Sequence, residues 1–597
     1  MKLVIVESPE IAQRLADLLG KEFVVKVCAG PIWNLLPGET GVDAASGYAA
    51  QYEVRLNKEL ALAALKKAVK GAEVIYLATD PGLQGENAAQ LIVDALPEPD
   101  RHKTLRLDLH EMTEVGIQQA LASARVLNPN LVKAARAHEV MDHLTAHALY
   151  PLLVKWGLLE STSPSLNLVE GTALRLVVER EEALRVSKPH STPRAAAQVQ
   201  NGAVRFWASM SDTQDIRTAD DAYQVIETLM LPETGWMVER VERHEETDQP
   251  PAPFTTSTLL DQAESALRLT PKQTNEAAKE LYLAGLITYP YSRSTVISAQ
   301  ACQAGREMIA CLFGTMNLPQ LSPAASEQAV DSFEEAIRPT DPTRLPEQLE
   351  TSEFSQEAVR VYSLIWLRFI GSQLNPARLA VTLLTIRPTW TGSAEPWEEA
   401  RVYPHPYTFQ ARLRWPIEDG YLAVIPGHDN PDLLTDEIGD QVVHLPDVEQ
   451  GDTLIFNQIH AVEAAPPVRF SEAGLIAELS SVGIGSPKEH LKALEALGQK
   501  GYVRTERSRL IPTMRGEDVL YLALAHFAGV FDLNLLSGMG DLVDLVAQGK
   551  ADYESVLKIF YSGRLARALD AAHAAVEEVV DDEPIGTYSL MSKKESA

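Results

Sequence analysis

The chain has 597 residues, too many for one hydrophobic core and enough for roughly three to five domains. Apolar residues make up 45% and no long low-complexity block interrupts them, which excludes a disordered or fibrous protein. The 82 Asp and Glu outnumber the 53 Lys and Arg, for a formal charge of −29; this argues against a protein that coats nucleic acid, while leaving room for a local basic groove.

The opening "MKLVIVESPE" has too short an apolar run for a signal peptide and reads as a buried strand. "SPEIAQRLADLLG" follows as a helix, with Ser8 at the N-cap and Pro9 at its first position. "EFVVKVCAG" reads as a strand, "KELALAALKKAVKGA" as a helix stopping at Gly71, and "EVIYLATD" as the next strand. "KTLRLDLH" and "TEVGIQQALASA" repeat the pattern. Alternation of this kind predicts an α/β domain over residues 1–135, built on a mostly parallel sheet. Ligands of such sheets sit at the carboxyl ends of the strands, where Glu7 and Asp80 both fall.

Beyond it the pattern predicts a helical segment over 136–194, strands over 195–252, helices over 253–375, strands over 376–465 and helices over 466–575. A polar tail follows over 576–597. This alternation suggests that the chain leaves some domains and returns to them. No run reaches the roughly 18 to 20 apolar residues of a membrane span. Three cysteines, Cys28, Cys302 and Cys311, fit neither a disulfide framework nor a four-cysteine zinc site. A reducing, cytoplasmic setting without a membrane is therefore expected.

Three constellations could carry chemistry. Glu7 and Asp80 could form an acidic metal-binding pair on neighbouring strand ends. From spacing alone, a helix start and a turn opened by Pro81-Gly82 fit them slightly better. "GLITYPYSRST", residues 285–295, places Tyr289 and Tyr291 around Pro290, with Arg293 behind them. A tyrosine can be a covalent nucleophile if a cation stabilises the phenolate and the charge on a phosphate; aromatic packing at a helix end is the plainer role. In "HEVMDHLTAH", His143 and His147 share one helical face at metal-ligand spacing. No further ligand stands nearby in sequence, so a solvated or core-edge face is expected there.

Taken together, these stretches resemble the type IA DNA topoisomerases over nearly the whole chain. The resemblance is carried, in order, by "LVIVESPEIAQRLADLLG", "YLATDPGLQGE", "LHEMTEVGIQQAL", "ALRLVVERE", "PPAPFTTSTL", "LYLAGLITYP", "EEAIRPTD", "SLIWLRFIGSQL" and "FSEAGLIAELSSVGIGSPKEH". It implies a multidomain α/β fold: an N-terminal Toprim domain on a toroidal core of further α and β domains. It implies Mg²⁺-dependent, ATP-free chemistry in which a tyrosine attacks one DNA strand, forms a 5′-phosphotyrosyl bond and reseals it. Tyr289 stands at the nucleophile position in "ITYP". Glu7 and Asp80 stand at two acidic Toprim positions, and Glu86 at the closing glutamate of the Asp-x-Asp-Arg-Glu-Gly-Glu motif. Arg175, Arg338, Arg469 and Lys488 are the implied contacts to single-stranded DNA.

The departures fall on chemistry. The second Asp of the acidic motif is Gly82, its Arg is Leu83 and its first Glu is Gln84. The lysine expected four residues after Glu7 is Ile11, and the glycine-histidine pair of the next loop is Gly30-Pro31. The arginine two residues after the nucleophile is Tyr291, and the histidine before Glu-Ala-Ile-Arg-Pro is Glu334. The Ser-Ala-Gly-Arg-Val-Gln motif is replaced over Ser165 to Glu170. The paired arginines upstream of Asp142 are His138 and Glu139, and Gly-Ile-Gly-Arg-Pro carries Ser486 in place of its arginine. Losing one transition-state donor typically costs about 10²- to 10³-fold in rate.

The expectation is a single-stranded DNA-binding protein, an eroded relative with strand cleavage weak or lost. Weak Mg²⁺ binding, no zinc and no ATP go with it. Two other readings are an active enzyme relaxing negatively supercoiled DNA with a reduced site, and a protein-interaction scaffold without a DNA role. Tyr291-Ser292-Arg293 recreates the Tyr-x-Arg spacing and marks Tyr291, with Arg293, as an alternative nucleophile.

Overall fold

The computed structural model describes residues 1–28, 32–36, 41–155, 166–186, 194–211, 219–314, 334–392, 401–425, 447–462, 468–527 and 529–566. The expected polar tail, Gly30-Pro31 and Ser165 lie outside them. Two compact units divide the chain. One takes Met1–Leu109, Glu114–Val178 and Gly474–Ala597; the other takes His110–Thr113 and Glu179–Ala473.

In the first unit, a four-stranded parallel sheet runs in the order Phe23–Val27, Lys2–Val6, Val74–Ala78, Thr104–Arg106. Leu3, Val4, Ile5 and Val6 of the central strand have no solvent exposure, as expected of a parallel strand covered on both faces. The register pairs Val6 with Val27 on one side and with Ala78 on the other. Glu7 and Thr79-Asp80 therefore leave the sheet side by side. Helix Pro9–Leu18 starts where Ser8 Oγ accepts the Ile11 amide at 3.2 Å, with Pro9 in its first turn. The unit also contains the 27-residue helix Pro129–Lys155 and the C-terminal helices from Pro487–Gln499 to Tyr553–Phe560.

The second unit is built on a seven-stranded antiparallel sheet. Its order is Thr234–Asp248, Thr453–Val462, Arg194–Asn201, Val204–Met210, Phe409–Glu418, Ala377–Gly392, Arg401–Pro404. Thr234–Asp248 also pairs with Ala377–Gly392, so six of these strands close into a ring. Its core is apolar and aromatic: Trp236 stacks on Phe456 at 5.4 Å and meets Phe409 edge-on at 4.9 Å. The helices of this unit include Thr256–Gln262, Pro271–Leu283, Ala299–Phe313 and Gln356–Gly371.

Two elements differ from the sequence expectation. Helix Ala219–Leu229 interrupts the strands of 195–252, because Ala222, Val225, Ile226 and Leu229 form an apolar stripe that packs into the barrel core. Within 466–575, Val503–Glu506 and Arg509–Pro512 form a hairpin. Its turn residues, Arg507 and Ser508, take positive φ values of 48° and 59°. Among the described residues, no helix is long and apolar enough to cross a membrane.

Candidate functional site

The acidic centre of the first unit lies at the strand ends. The Asp80 amide donates to Glu7 Oε1 at 3.0 Å, joining the two carboxylates' neighbourhoods. Burial holds the Glu7 carboxyl above its usual range, and the charge of Asp80 adds to this; Lys488 and Arg106 act in the opposite sense. Asp80 itself is ion-paired with the Lys488 ammonium, which donates to its Oδ2. That lysine arrives from helix Pro487–Gln499, whose start is fixed by a capping box between Ser486 and Glu489.

The turn from Asp80 into helix Leu83–Ala95 depends on two glycines. Gly82 takes φ 90°, and a Cβ on Gly85 would stand 1.7 Å from the Asp80 carbonyl oxygen. Glu86 is 1% exposed and points into an internal ion pair. It accepts from Arg106 Nε at 3.0 Å, from Arg125 at 2.7 and 2.9 Å, and from the Asn128 amide at 2.6 Å. Arg106, with no exposure, also donates to the carbonyls of Leu77, Thr79, Leu107 and Asp80. It thereby laces the sheet end together. Arg106 and Arg125 were not visible as site residues in the sequence; the only signal was two arginines in an apolar setting.

Magnesium needs several hard oxygens in a near-octahedral shell, commonly with retained waters. The oxygens present are a poor match. Asp80 is bonded to an ammonium, both Glu86 oxygens are bonded to guanidinium groups, and Gly82 and Gln84 supply no further carboxylate. Of the three expected metal ligands, the structure brings Glu7 and Asp80 together and places Glu86 in a bridge of its own.

The second unit holds the tyrosines. Tyr289 is 7% exposed and donates its amide to the His110 carbonyl at 2.8 Å. Its ring meets Tyr282 edge-on at 5.6 Å and Tyr291 at 5.4 Å. Thr288 and Thr256 clamp the loop on either side of it. Thr288 donates to the Ala336 carbonyl at 2.7 Å and accepts the Arg338 amide at 3.0 Å. Thr256 donates to the Pro290 carbonyl at 2.9 Å and accepts the Ser292 amide at 2.8 Å. The Arg293 amide donates to Glu334 at 2.9 Å, so an acidic group stands beside the alternative Tyr291-Arg293 pair.

Arg338 is 4% exposed and is held by Glu335 at 2.7 and 2.9 Å and by Glu111 at 2.8 Å. Burial alone would raise the Glu335 carboxyl; the Arg338 charge, together with the hydrogen bonds from Arg338 and Ser298, outweighs it and holds the group below its usual range. Arg469 forms a bidentate pair with Glu181 at 2.6 and 2.9 Å. In the first unit, Arg175 donates to the Phe531 carbonyl. The four basic residues expected on DNA are thus each bonded within the protein. His143 and His147 are half-buried and stack at 6.5 Å.

Comparison with known proteins agrees with this architecture. A DNA topoisomerase family model matches residues 126–558, and a Toprim domain model matches residues 2–112. DNA topoisomerase 1 of Pseudomonas aeruginosa is 29% identical over 622 residues, covering 98% of this chain and 68% of that protein. Its counterpart in Synechococcus elongatus is 30% identical over 635 residues, covering 99% and 68%. Full-length topoisomerase I from Thermotoga maritima superposes with a TM-score of 0.77 at 25% identity, covering 95% of this chain and 90% of that one. The sheet with its acidic strand ends, the closed barrel and the buried "ITYP" loop are the parts of one known plan, and the chain belongs to the type IA DNA topoisomerase family, with an N-terminal Toprim domain.

Proposed function

We propose that this protein binds single-stranded DNA as a type IA topoisomerase relative and that strand cleavage through Tyr289 is weak or lost. The observation that carries this reading is the Lys488–Asp80 pair. A protein ammonium satisfies the carboxylate that would otherwise draw a divalent ion, and Glu86 is neutralised by two arginines. The cations lost near Tyr289 add to the case, since an oxyanion in a site of low dielectric is costly without them. A second reading, an active Mg²⁺-dependent enzyme with a reduced site, draws on the direct contact between Glu7 and Asp80.

A covalent-adduct assay separates the two. The protein is mixed with an end-labelled single-stranded oligonucleotide and Mg²⁺ or Mn²⁺, denatured, and inspected for label, beside an active relative. The expected result is binding by gel shift and adduct below about a hundredth of the relative's, since the loss of even one transition-state donor costs about 10²-fold or more. An adduct comparable to the relative's, lost in Tyr289→Phe, would establish the active reading. Loss only in Tyr291→Phe would move the nucleophile to Tyr291.

A further inference from the structure

Away from the Glu7–Asp80 pair, the first unit gathers a second set of ligand-type side chains. His138 and Asp142 are four residues apart on helix Pro129–Lys155 and share one face. Glu489, the third residue of helix Pro487–Gln499, meets them. One ligand atom from each of the three lies within 4.8 Å of the other two, and His138 Nδ1 stands 3.8 Å from Glu489 Oε1. Both carboxylates are oriented by backbone amides. Leu168 donates to Asp142 Oδ1 at 3.1 Å, and Ser486 donates to Glu489 Oε2 at 2.7 Å. Gln84 Nε2 reaches Glu489 Oε1 at 3.5 Å. Amides that fix one carboxylate oxygen leave the other directed by geometry rather than by chance, as in metal sites whose ligands are held from behind.

The charge balance favours a cation. Glu170 adds a third carboxylate to the field at Asp142, although Lys500 pairs with it at 2.6 Å. Burial, with Glu489 and Glu170 behind it, pushes Asp142 up to about 7, while His138 pulls the other way. Desolvation acts on the half-buried Glu489 in the same sense, yet His138 and the Ser486 hydrogen bonds hold it below its usual range. The family's guanidinium groups are missing here: their positions carry His138, Glu139 and Ser486. One nitrogen and two oxygens suit Zn²⁺ or a similar first-row ion better than Mg²⁺, which prefers an all-oxygen shell. Tetrahedral zinc with bonds of about 2.1 Å sets its ligands about 3.4 Å apart, within reach of small side-chain rotations.

We propose that His138, Asp142 and Glu489 form a binding site for a divalent transition-metal ion of the Zn²⁺ class, separate from the Glu7–Asp80 pair. The ion ties helix Pro129–Lys155 to the first turn of helix Pro487–Gln499. That same turn carries Lys488.

The test is calorimetric titration of the chelator-treated full chain with Zn²⁺ at neutral pH, together with thermal melting. The expected result is one equivalent bound with a rise in Tm. His138→Ala and Glu489→Gln should each weaken binding at least about tenfold. Gln at 489 keeps an oxygen for the Ser486 amide, so this variant retains the helix cap even if His138→Ala folds poorly. The pairs His143→Ala/His147→Ala and Glu7→Gln/Asp80→Asn should bind as the wild type does. Absence of Zn²⁺ binding, unchanged binding in Glu489→Gln, or loss confined to either control pair would overturn the proposal.

Discussion

Lys488 and Asp80 are 408 positions apart in the chain, yet one is the counter-ion of the other. If the ammonium is what excludes a metal ion, removing it should admit one. Calorimetry should find Mg²⁺ binding weak in the wild type and at least about tenfold tighter in Lys488→Met, since a unit charge near a partly buried carboxylate is worth a few kcal/mol at an effective dielectric of about 20, of which solvent at the partly exposed lysine screens a part. Equal affinities would show that the lysine is not the obstacle. A second prediction concerns Glu335, whose carboxyl lies below the reference value of 4.5 in the folded protein because of Arg338. A lowered folded value contributes stability that is present above the unfolded value and lost as pH falls through the folded one. Urea unfolding followed from pH 6 down to pH 3 should therefore lose less stability in Glu335→Gln than in the wild type. Parallel curves would show that the Arg338 pair does not drive acid sensitivity.

At the scale of elements, the connection between strand Val74–Ala78 and helix Leu83–Ala95 is the most constrained. A methyl group at Gly85 would collide with the Asp80 carbonyl oxygen, a backbone atom that cannot turn aside. Gly85→Ala should cost about 1–3 kcal/mol, as overpacking does, and lower Tm by several degrees. A neutral melt in that variant would show that the turn can shift. Local signals of this kind were legible in the sequence. Ser8-Pro9 marked a helix start, the apolar run before Asp80 marked a strand end, and Thr-Tyr-Pro marked the tyrosine loop. The partners that settle the chemistry were not, because they come from elsewhere. Arg125 reaches Glu86 over 39 positions, and Glu111 reaches Arg338 over 227. Sequence patterns report what a residue is next to in the chain, and these pairs are made by the fold. Helix Ala219–Leu229 was missed for another reason: its apolar stripe is short and sits between two strong strand signals.

For the whole molecule, the excess of acidic groups and the internal bonding of Arg338, Arg469 and Arg175 bear on DNA affinity. Single-strand binding should release few counter-ions. Fluorescence anisotropy across a salt series should give a log–log slope shallower than about −2, corresponding to three phosphate contacts or fewer. A slope steeper than about −4 would mean that a broad basic surface exists after all.

The division of the chain has a consequence for biosynthesis. The second unit is made of residues 179–473 almost entirely, and the first unit needs segments from both sides of that stretch. A ribosome therefore finishes the inner unit first. The barrel cannot close until Thr453–Val462 emerges to pair with Arg194–Asn201. Lys488 and Glu489 emerge later still. At about 5–20 residues per second, the N-terminal sheet waits roughly 20–80 s for the lysine 408 positions further on. During that interval Asp80 has no lysine. The nascent protein passes through a stage in which its acidic strand ends are open to any cation in the cell, and only the emergence of helix Pro487–Gln499 closes them.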